Sequence, residues 1–299
     1  MKSFPTHRGV IVPLVTPCTA DAELDEPAAL RLVEHLAANG CGMLVLGTTG
    51  EVASLSSELR RRYVELAVRT AAGRTPVFAC IAHNSFAESI ALARAHLAAG
   101  ADAVVAMLPN YFKLDPTAIE QYFTRLAAAV AGPVLIYNMP QTTGMSIPVD
   151  VIERLSHLPN ITGLKDSENT PGRREQVAAC LAGRADFSLF MGVAACSVSA
   201  LRLGFVGLVP SSGNLYPARW RELYDAALTG DWPRAGQLQH QLDAVGAVFQ
   251  RNRLLGPSLA ALKAGLASRG LCGPDVLPPL RALEPAEQES VRAELLQLG

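Results

Sequence analysis

Three groups of residues in this chain could do carbonyl chemistry together: Lys165, Tyr137 and the pair Thr48-Thr49. Lysine is scarce here. Of 26 basic residues only Lys2, Lys113, Lys165 and Lys263 are lysines, so each position needs a reason. Lys165 closes the short apolar run Ile161 to Leu164 in the stretch NITGLKDSENT. Burial disfavours an ammonium and can lower a lysine pKa by several units, and the neutral amine can then attack a ketone carbon. A lysine with an apolar approach is therefore a candidate Schiff-base former. Schiff-base chemistry needs a proton shuttle, which the phenol of Tyr137 can supply. A 2-oxo acid also brings a carboxylate. The turn Gly47-Thr48-Thr49-Gly50 offers hydroxyls and closely spaced N–H groups, an anion nest. Each signal has a plainer reading: a strand-end lysine can snorkel, a tyrosine can simply pack, and G-T-T-G can be an ordinary turn.

What joins the three is the set of elements that must carry them. A pattern recurs in which a helical stretch ends in glycine and a short apolar strand follows, as in LVEHLAANG-CGMLVLGT, ARAHLAAG-ADAVVAMLP, AAAVAG-PVLIYNMP and SALRLG-FVGLVPSS. Glycine there supplies the left-handed residue that stops a helix. Ser85 and Glu88 fit a capping box at the start of another helix. Continuous apolar strands are expected where both faces of a parallel sheet are covered. Eight such strands are predicted, near residues 9–15, 43–47, 77–82, 103–108, 133–137, 161–165, 187–191 and 205–210. Alternation with helices implies a closed (β/α)8 TIM barrel, an α/β fold, over residues 1–229. No G-x-G-x-x-G follows the first strand, as a doubly wound dinucleotide fold would require. Residues 230–299 read as a helical appendix packed on the barrel, with no linker to mark an independent domain.

In such a barrel, chemistry sits at the C-terminal ends of the strands. Those ends carry GTTGE, LPNYF, YNMPQTTG and GLKDS, which puts the lysine, the tyrosine and the threonines on one rim. Asp166 and Glu168 read as solvated helix-start acids, and Cys80 with His83 as strand-end packing. No H-E-x-x-H and no P-loop is present, so neither a metal nor a cofactor is expected. A net charge of −1 gives no footprint for nucleic acid or an anionic membrane, and no run approaches the length of a bilayer span. The first residues, broken by Pro5 and Pro13, lack the apolar core of a signal peptide. Six scattered cysteines suit reduced, buried thiols in a cytoplasmic protein.

At these same residues the sequence resembles the dihydrodipicolinate synthase / N-acetylneuraminate lyase family of class I, pyruvate-type aldolases. The resemblance covers nearly the whole chain and rests on GTTGE (47–51), LPNYF (108–112), YNMP (137–140) and GLKDS (163–167), with Tyr137 and Lys165 separated by 28 positions. It implies that Lys165 forms the imine, that Tyr137 relays protons, and that Thr48 and Thr49 grip the carboxylate, with Thr48 also counted among the catalytic groups. It further implies that Tyr111 reaches a neighbouring subunit's site to complete the relay. Gly192 and Val209 match positions whose backbone lines the pocket. The expected partners are pyruvate, an aldehyde and three more copies of the chain, as a dimer of dimers. One position departs from the pattern. The synthases of this family carry an arginine two residues after Y-N-x-P, on the second substrate's carboxylate, and here that position is Thr142. Asn110 also stands where those synthases usually have a second tyrosine. These departures favour an aldolase, ahead of a dehydratase, that interconverts pyruvate plus an aldehyde with a 4-hydroxy-2-oxo acid of the 2-oxo-3-deoxy sugar acid type. The alternatives are the synthase itself, condensing pyruvate with aspartate semialdehyde, and a non-catalytic sugar-acid-binding barrel.

Overall fold

The computed structural model describes residue 4 and residues 6–298. Lys2 and Pro5 lie outside the described residues. Eight parallel strands follow one another in chain order and close into a barrel: β1 (Gly9–Pro13), β2 (Gly42–Val45), β3 (Val77–Cys80), β4 (Ala103–Met107), β5 (Val134–Asn138), β6 (Ile161–Asp166), β7 (Ser188–Met191) and β8 (Gly207–Leu208). Between them run α1 (Glu26–Ala37), α2 (Ser57–Ala71), α3 (Phe86–Ala98), α4 (Pro116–Ala129), α5 (Pro140–Thr143), α6 (Val149–Ser156), α7 (Arg173–Cys180) and α8 (Ser197–Arg202). After β8 come α9 (Pro217–Leu228), α10 (Trp232–Gln250), α11 (Leu255–Ser268) and α12 (Pro285–Gln297). This is the (β/α)8 TIM barrel with C-terminal helices. Among the described residues, no helix is long and apolar enough to cross a membrane.

All the strand residues are buried, which is why the strands read as unbroken apolar runs rather than as alternating ones. The eighth is shorter than its sequence run. Its ladder is continued by single bonds on either side, from Val206 N–H to the Leu189 carbonyl and from Val209 N–H to the Met191 carbonyl. Pro210, with no N–H to donate, cannot extend it further.

The chain clusters into two compact units. One holds Phe78–Val209 with the segment up to Gly9, and so contains β4 to β8. Here the glycine reading divides. Gly100 and Gly204 stop their helices with φ of +98° and +95°, as expected. Gly132 does not: α4 has already ended at Ala129 with an extended cap at Val130. An added Cβ at Gly132 would stand 2.6 Å from Leu97 Cδ1, so glycine is there to let the chain pass that side chain. Ser85 caps α3 by accepting the Glu88 N–H at 3.4 Å.

The other unit holds Val10–Val77 and the chain from Pro210 onward. Polar side chains anchor the end of β1 and the residues just after it. Tyr63 on α2 donates to the Val15 carbonyl at 2.6 Å, and Asn214 accepts from Val15 N–H while donating to the Pro13 carbonyl. Lys263 is the finding that helical periodicity did not reveal. It lies on α11, fully buried, with Nζ 2.5 Å from Glu51 Oε1 and 2.8 Å from the Asp275 carbonyl. Glu51 in turn accepts the Leu277 N–H at 2.7 Å. The last residue of GTTGE is thus tied to α11 and to the segment beyond it. The six cysteines are unpaired, and burial pushes the thiols of Cys41 and Cys272 up to about 12.

Candidate active site

β5 and β6 are neighbours, and their register pairs Tyr137 with Lys165 and Asn138 with Asp166. Side chains alternate along a strand, so the first pair shares one face of the sheet and the second pair the other. Lys165 and Tyr137 are only 4% and 2% exposed. The lysine Nζ sits over the tyrosine ring, 3.7 Å from its centroid, the geometry in which an aromatic face attracts a cation. The adjacent carboxylates are turned elsewhere. Asp166 is 2.9 Å from Arg173 Nε, and Glu168 is held by Ser146 and Thr170. The two buried lysines are therefore chemically distinct. Lys263 is locked to Glu51, whereas Lys165 faces a phenol ring at the C-terminal end of a strand.

Asp166 and Glu168 are not solvated helix-start acids. They are 1% and 8% exposed and form the middle of a polar network behind the Lys165–Tyr137 pair. Asn138 Nδ2 donates to Asp166 Oδ1 and to Glu168 Oε2, each at 2.9 Å, and Asn138 Oδ1 accepts the Ile147 N–H at 3.1 Å. Arg173 Nη1 donates to the Ile147 carbonyl at 2.9 Å. Burial opposes ionisation of Glu168, but hydrogen bonds from Ser146, Asn138 and Thr170 and the Arg173 charge outweigh it and hold the carboxyl below the usual glutamate range. The sequence does carry a signal for this network. Asn138 precedes Asp166 by the same 28 positions that separate Tyr137 from Lys165, as register neighbours on parallel strands must.

Gly192 follows β7, and its N–H donates to the Asp166 carbonyl at 2.7 Å. A Cβ there would collide with Ser167 Oγ, so a larger residue would force that hydroxyl to move. Val209 follows β8 and is 4% exposed. Thr142 lies in the single turn α5, half-buried, with its hydroxyl donating to the Met139 carbonyl at 3.2 Å. Tyr111 stands in the loop after β4, 78% exposed, its ring edge-on to Phe112 at 5.0 Å. His83, in the loop after β3, accepts the Ser85 N–H on Nδ1.

Thr48 and Thr49 belong to the other unit, in the turn that follows β2. Gly50 and Glu51 donate their N–H groups to the Gly47 and Thr48 carbonyls, at 3.0 and 3.1 Å. Those two donors are engaged within the turn. Thr49 is buried and Thr48 half-buried. Leu46 and Glu51 flank the turn with φ of +63° and +56°, left-handed values that side chains other than glycine seldom adopt. Such conformations persist where the surroundings over-determine them. At Glu51 the ion pair to Lys263 and the bond from Leu277 do so.

The sequence and the fold match those of known proteins. The model of the Dihydrodipicolinate synthetase family matches residues 6–298. A 4-hydroxy-tetrahydrodipicolinate synthase of Phenylobacterium zucineum is 36% identical over 297 residues, 99% of this chain and 98% of that protein. Among solved structures, the dihydrodipicolinate synthase of Bacteroides thetaiotaomicron is 33% identical, with a TM-score of 0.92 over 97% of this chain and 98% of its own. YagE, a prophage protein of this family from E. coli K12 solved in complex with pyruvate, is 27% identical with a TM-score of 0.92, over the same shares of the two chains. The chain belongs to the dihydrodipicolinate synthetase family and is a carbon–carbon lyase of that family.

Proposed function

We propose that this lyase works through an imine between Lys165 and the carbonyl carbon of a 2-oxo acid, cleaving a 4-hydroxy-2-oxo acid to pyruvate and an aldehyde, and running the reverse condensation. The supporting observation is the buried amino group of Lys165, set over the Tyr137 ring while the neighbouring carboxylates are bonded elsewhere. The amine adds to C2, and the Tyr137 hydroxyl gives its proton to the departing water, leaving an iminium and a phenolate. The Tyr137 oxygen then takes the proton of the C4 hydroxyl as the C3–C4 bond breaks and the aldehyde departs. The electrons of that bond remain as an enamine, which is protonated at C3 and hydrolysed to pyruvate and free lysine. The carboxylate is assigned to Thr48 and Thr49 on the character of their turn, and Gly192 and Val209 to the backbone lining the pocket.

Thr142 supports the hydroxylated-substrate reading. Condensation with aspartate semialdehyde needs a cation for a second carboxylate, a task suited to the two-pronged arginine contact. Thr142 brings a hydroxyl instead, and Arg173 is committed to Asp166 and Ile147. The names of relatives such as the Phenylobacterium zucineum protein, 36% identical, favour the second reading, a synthase condensing pyruvate with aspartate semialdehyde. Losing one partner of a desolvated charge pair costs about 2–5 kcal/mol, roughly 30- to 5,000-fold. The purified protein is therefore expected to release pyruvate from a 2-oxo-3-deoxy acid in an aldehyde and acid screen, and to condense aspartate semialdehyde poorly. A kcat/KM for that condensation above about 10⁴ M⁻¹s⁻¹, the lower edge of ordinary enzymes, would give the assignment to the synthase.

Tyr111 is assigned to the proton relay of a neighbouring copy in a homotetramer built as a dimer of dimers, a reading that suits its exposure in the single chain. Mixing inactive Tyr111→Phe and Lys165→Ala subunits should then restore part of the activity, since one copy supplies the tyrosine and the other the lysine. Failure to complement in a mixed oligomer would remove Tyr111 from the relay.

A further inference from the structure

The buried network behind the Lys165–Tyr137 pair is not explained by stability. It places two carboxylates and a guanidinium out of water, and replacing such clusters with well-packed apolar side chains is often neutral or stabilising. Its placement is more informative. Asn138 and Asp166 are each one covalent step from Tyr137 and Lys165, and they face each other across the same two strands, one register position on. Asn138 is 0% exposed, and both its amide groups are engaged: Nδ2 with Asp166 and Glu168, Oδ1 with the Ile147 N–H. Asp166 Oδ1 also accepts the Glu168 N–H at 3.0 Å, and Oδ2 takes Arg173 Nε. Arg173 reaches on to the Ile147 carbonyl, so that residue is gripped at both its N–H and its C=O. Main-chain bonds add to this: Ser167 N–H donates to the Asn138 carbonyl and Gly192 N–H to the Asp166 carbonyl. The ends of β5 and β6, the segment before α6, and the first residue of α7 are thereby fixed against one another. A slip of β5 along β6 would break the Asn138–Asp166 bond and misplace the amine relative to the phenol. Imine chemistry is sensitive to that, because reacting atoms must be held about 3–3.5 Å apart.

We propose that Asn138, Asp166 and Arg173 are the positioning residues of the reaction, acting through Tyr137 and Lys165 and touching no substrate. This rests on the Schiff-base reading of Lys165, and the test separates the two. Pyruvate alone serves as probe. Borohydride trapping counts the sites able to form the imine, and exchange of the pyruvate methyl protons with deuterium oxide, followed by NMR, reads the imine–enamine proton transfer. For Asn138→Ala the exchange rate per trapped site is expected to fall about 10²-fold, the scale of a displacement near 1 Å. The pyruvate concentration at half-saturation should change by less than about threefold, the split expected when orientation rather than binding is lost. A merely structural role would instead reduce the number of trappable sites and leave the rate per site unchanged, and that result overturns the proposal. If Asn138→Ala does not fold, Arg173→Lys decides. Its ammonium keeps the charge against Asp166 but cannot fork to the Ile147 carbonyl, so it should slow exchange about tenfold at unchanged half-saturation, and a wild-type rate per site overturns the proposal. If the wild type itself gives no adduct, the imine reading falls and the proposal with it. If the wild type traps and the variants exchange normally, the network alone is refuted.

Discussion

Lys165→Ala is expected to lose all borohydride-trappable adduct with pyruvate and at least about 10⁴-fold in turnover, out of the 10⁶ or more by which enzymes ordinarily exceed the uncatalysed reaction. Of the three described lysines, two are engaged elsewhere. Lys113 is exposed and donates to the Thr143 carbonyl. Lys263 is as buried as Lys165, but its nitrogen is occupied by the ion pair to Glu51. Lys165 is buried with an aromatic face as its neighbour. Mass spectrometry of the wild type after pyruvate and borohydride should show one added adduct, mapping to the peptide that contains GLKDS. Adduct on Lys113 or Lys263 would sink the mechanism. Lys165→Arg should be as inactive as alanine, because a guanidinium stays protonated and is no nucleophile.

Tyr137→Phe is the second large effect, a fall of roughly 10² to 10⁴ in turnover, the usual scale for a general acid–base group. Phenylalanine keeps the ring, and with it the packing at 2% exposure and the face presented to the lysine. Only the proton-carrying oxygen is removed. Imine formation with pyruvate should therefore persist, more slowly, while cleavage of the carbon–carbon bond suffers most. A turnover near that of the wild type would return Tyr137 to a packing role. Paired with the lysine variant, this measurement separates loss of the nucleophile from loss of the proton relay.

The barrel was legible because its strands are buried on both faces, so that GVIVP, AVVAM and VLIYN stand out as apolar runs without needing a partner. The position of Lys165 was legible for the same reason, as a polar residue at the end of such a run. What could not be read was pairing across sequence distance. Glu51 and Lys263 sit 212 positions apart, and nothing local to SLAALKAGL distinguishes a buried lysine on α11 from an ordinary helical one. Asp166 and Glu168 were misread because acids ahead of a helix are commonly solvated, and only the register with Asn138 shows that these are enclosed. Gly132 was misread because a glycine just past a helix can serve either backbone freedom or close approach, and the choice depends on Leu97, outside its own segment.

The bond between Glu51 and Lys263 also bears on how this barrel could be recombined. A chimera whose C-terminal helices come from another protein and pack in the same place would keep Glu51 covered while removing its cation and the Leu277 N–H. Stripping one member from a buried pair costs about 3–5 kcal/mol. That is a large part of the roughly 5–15 kcal/mol by which a native domain holds together. The penalty would fall on a residue whose φ of +56° already needs outside support, next to the threonines of the turn. Any graft must therefore carry the GTTGE turn and α11 together, as one unit of exchange whose two halves lie near opposite ends of the chain.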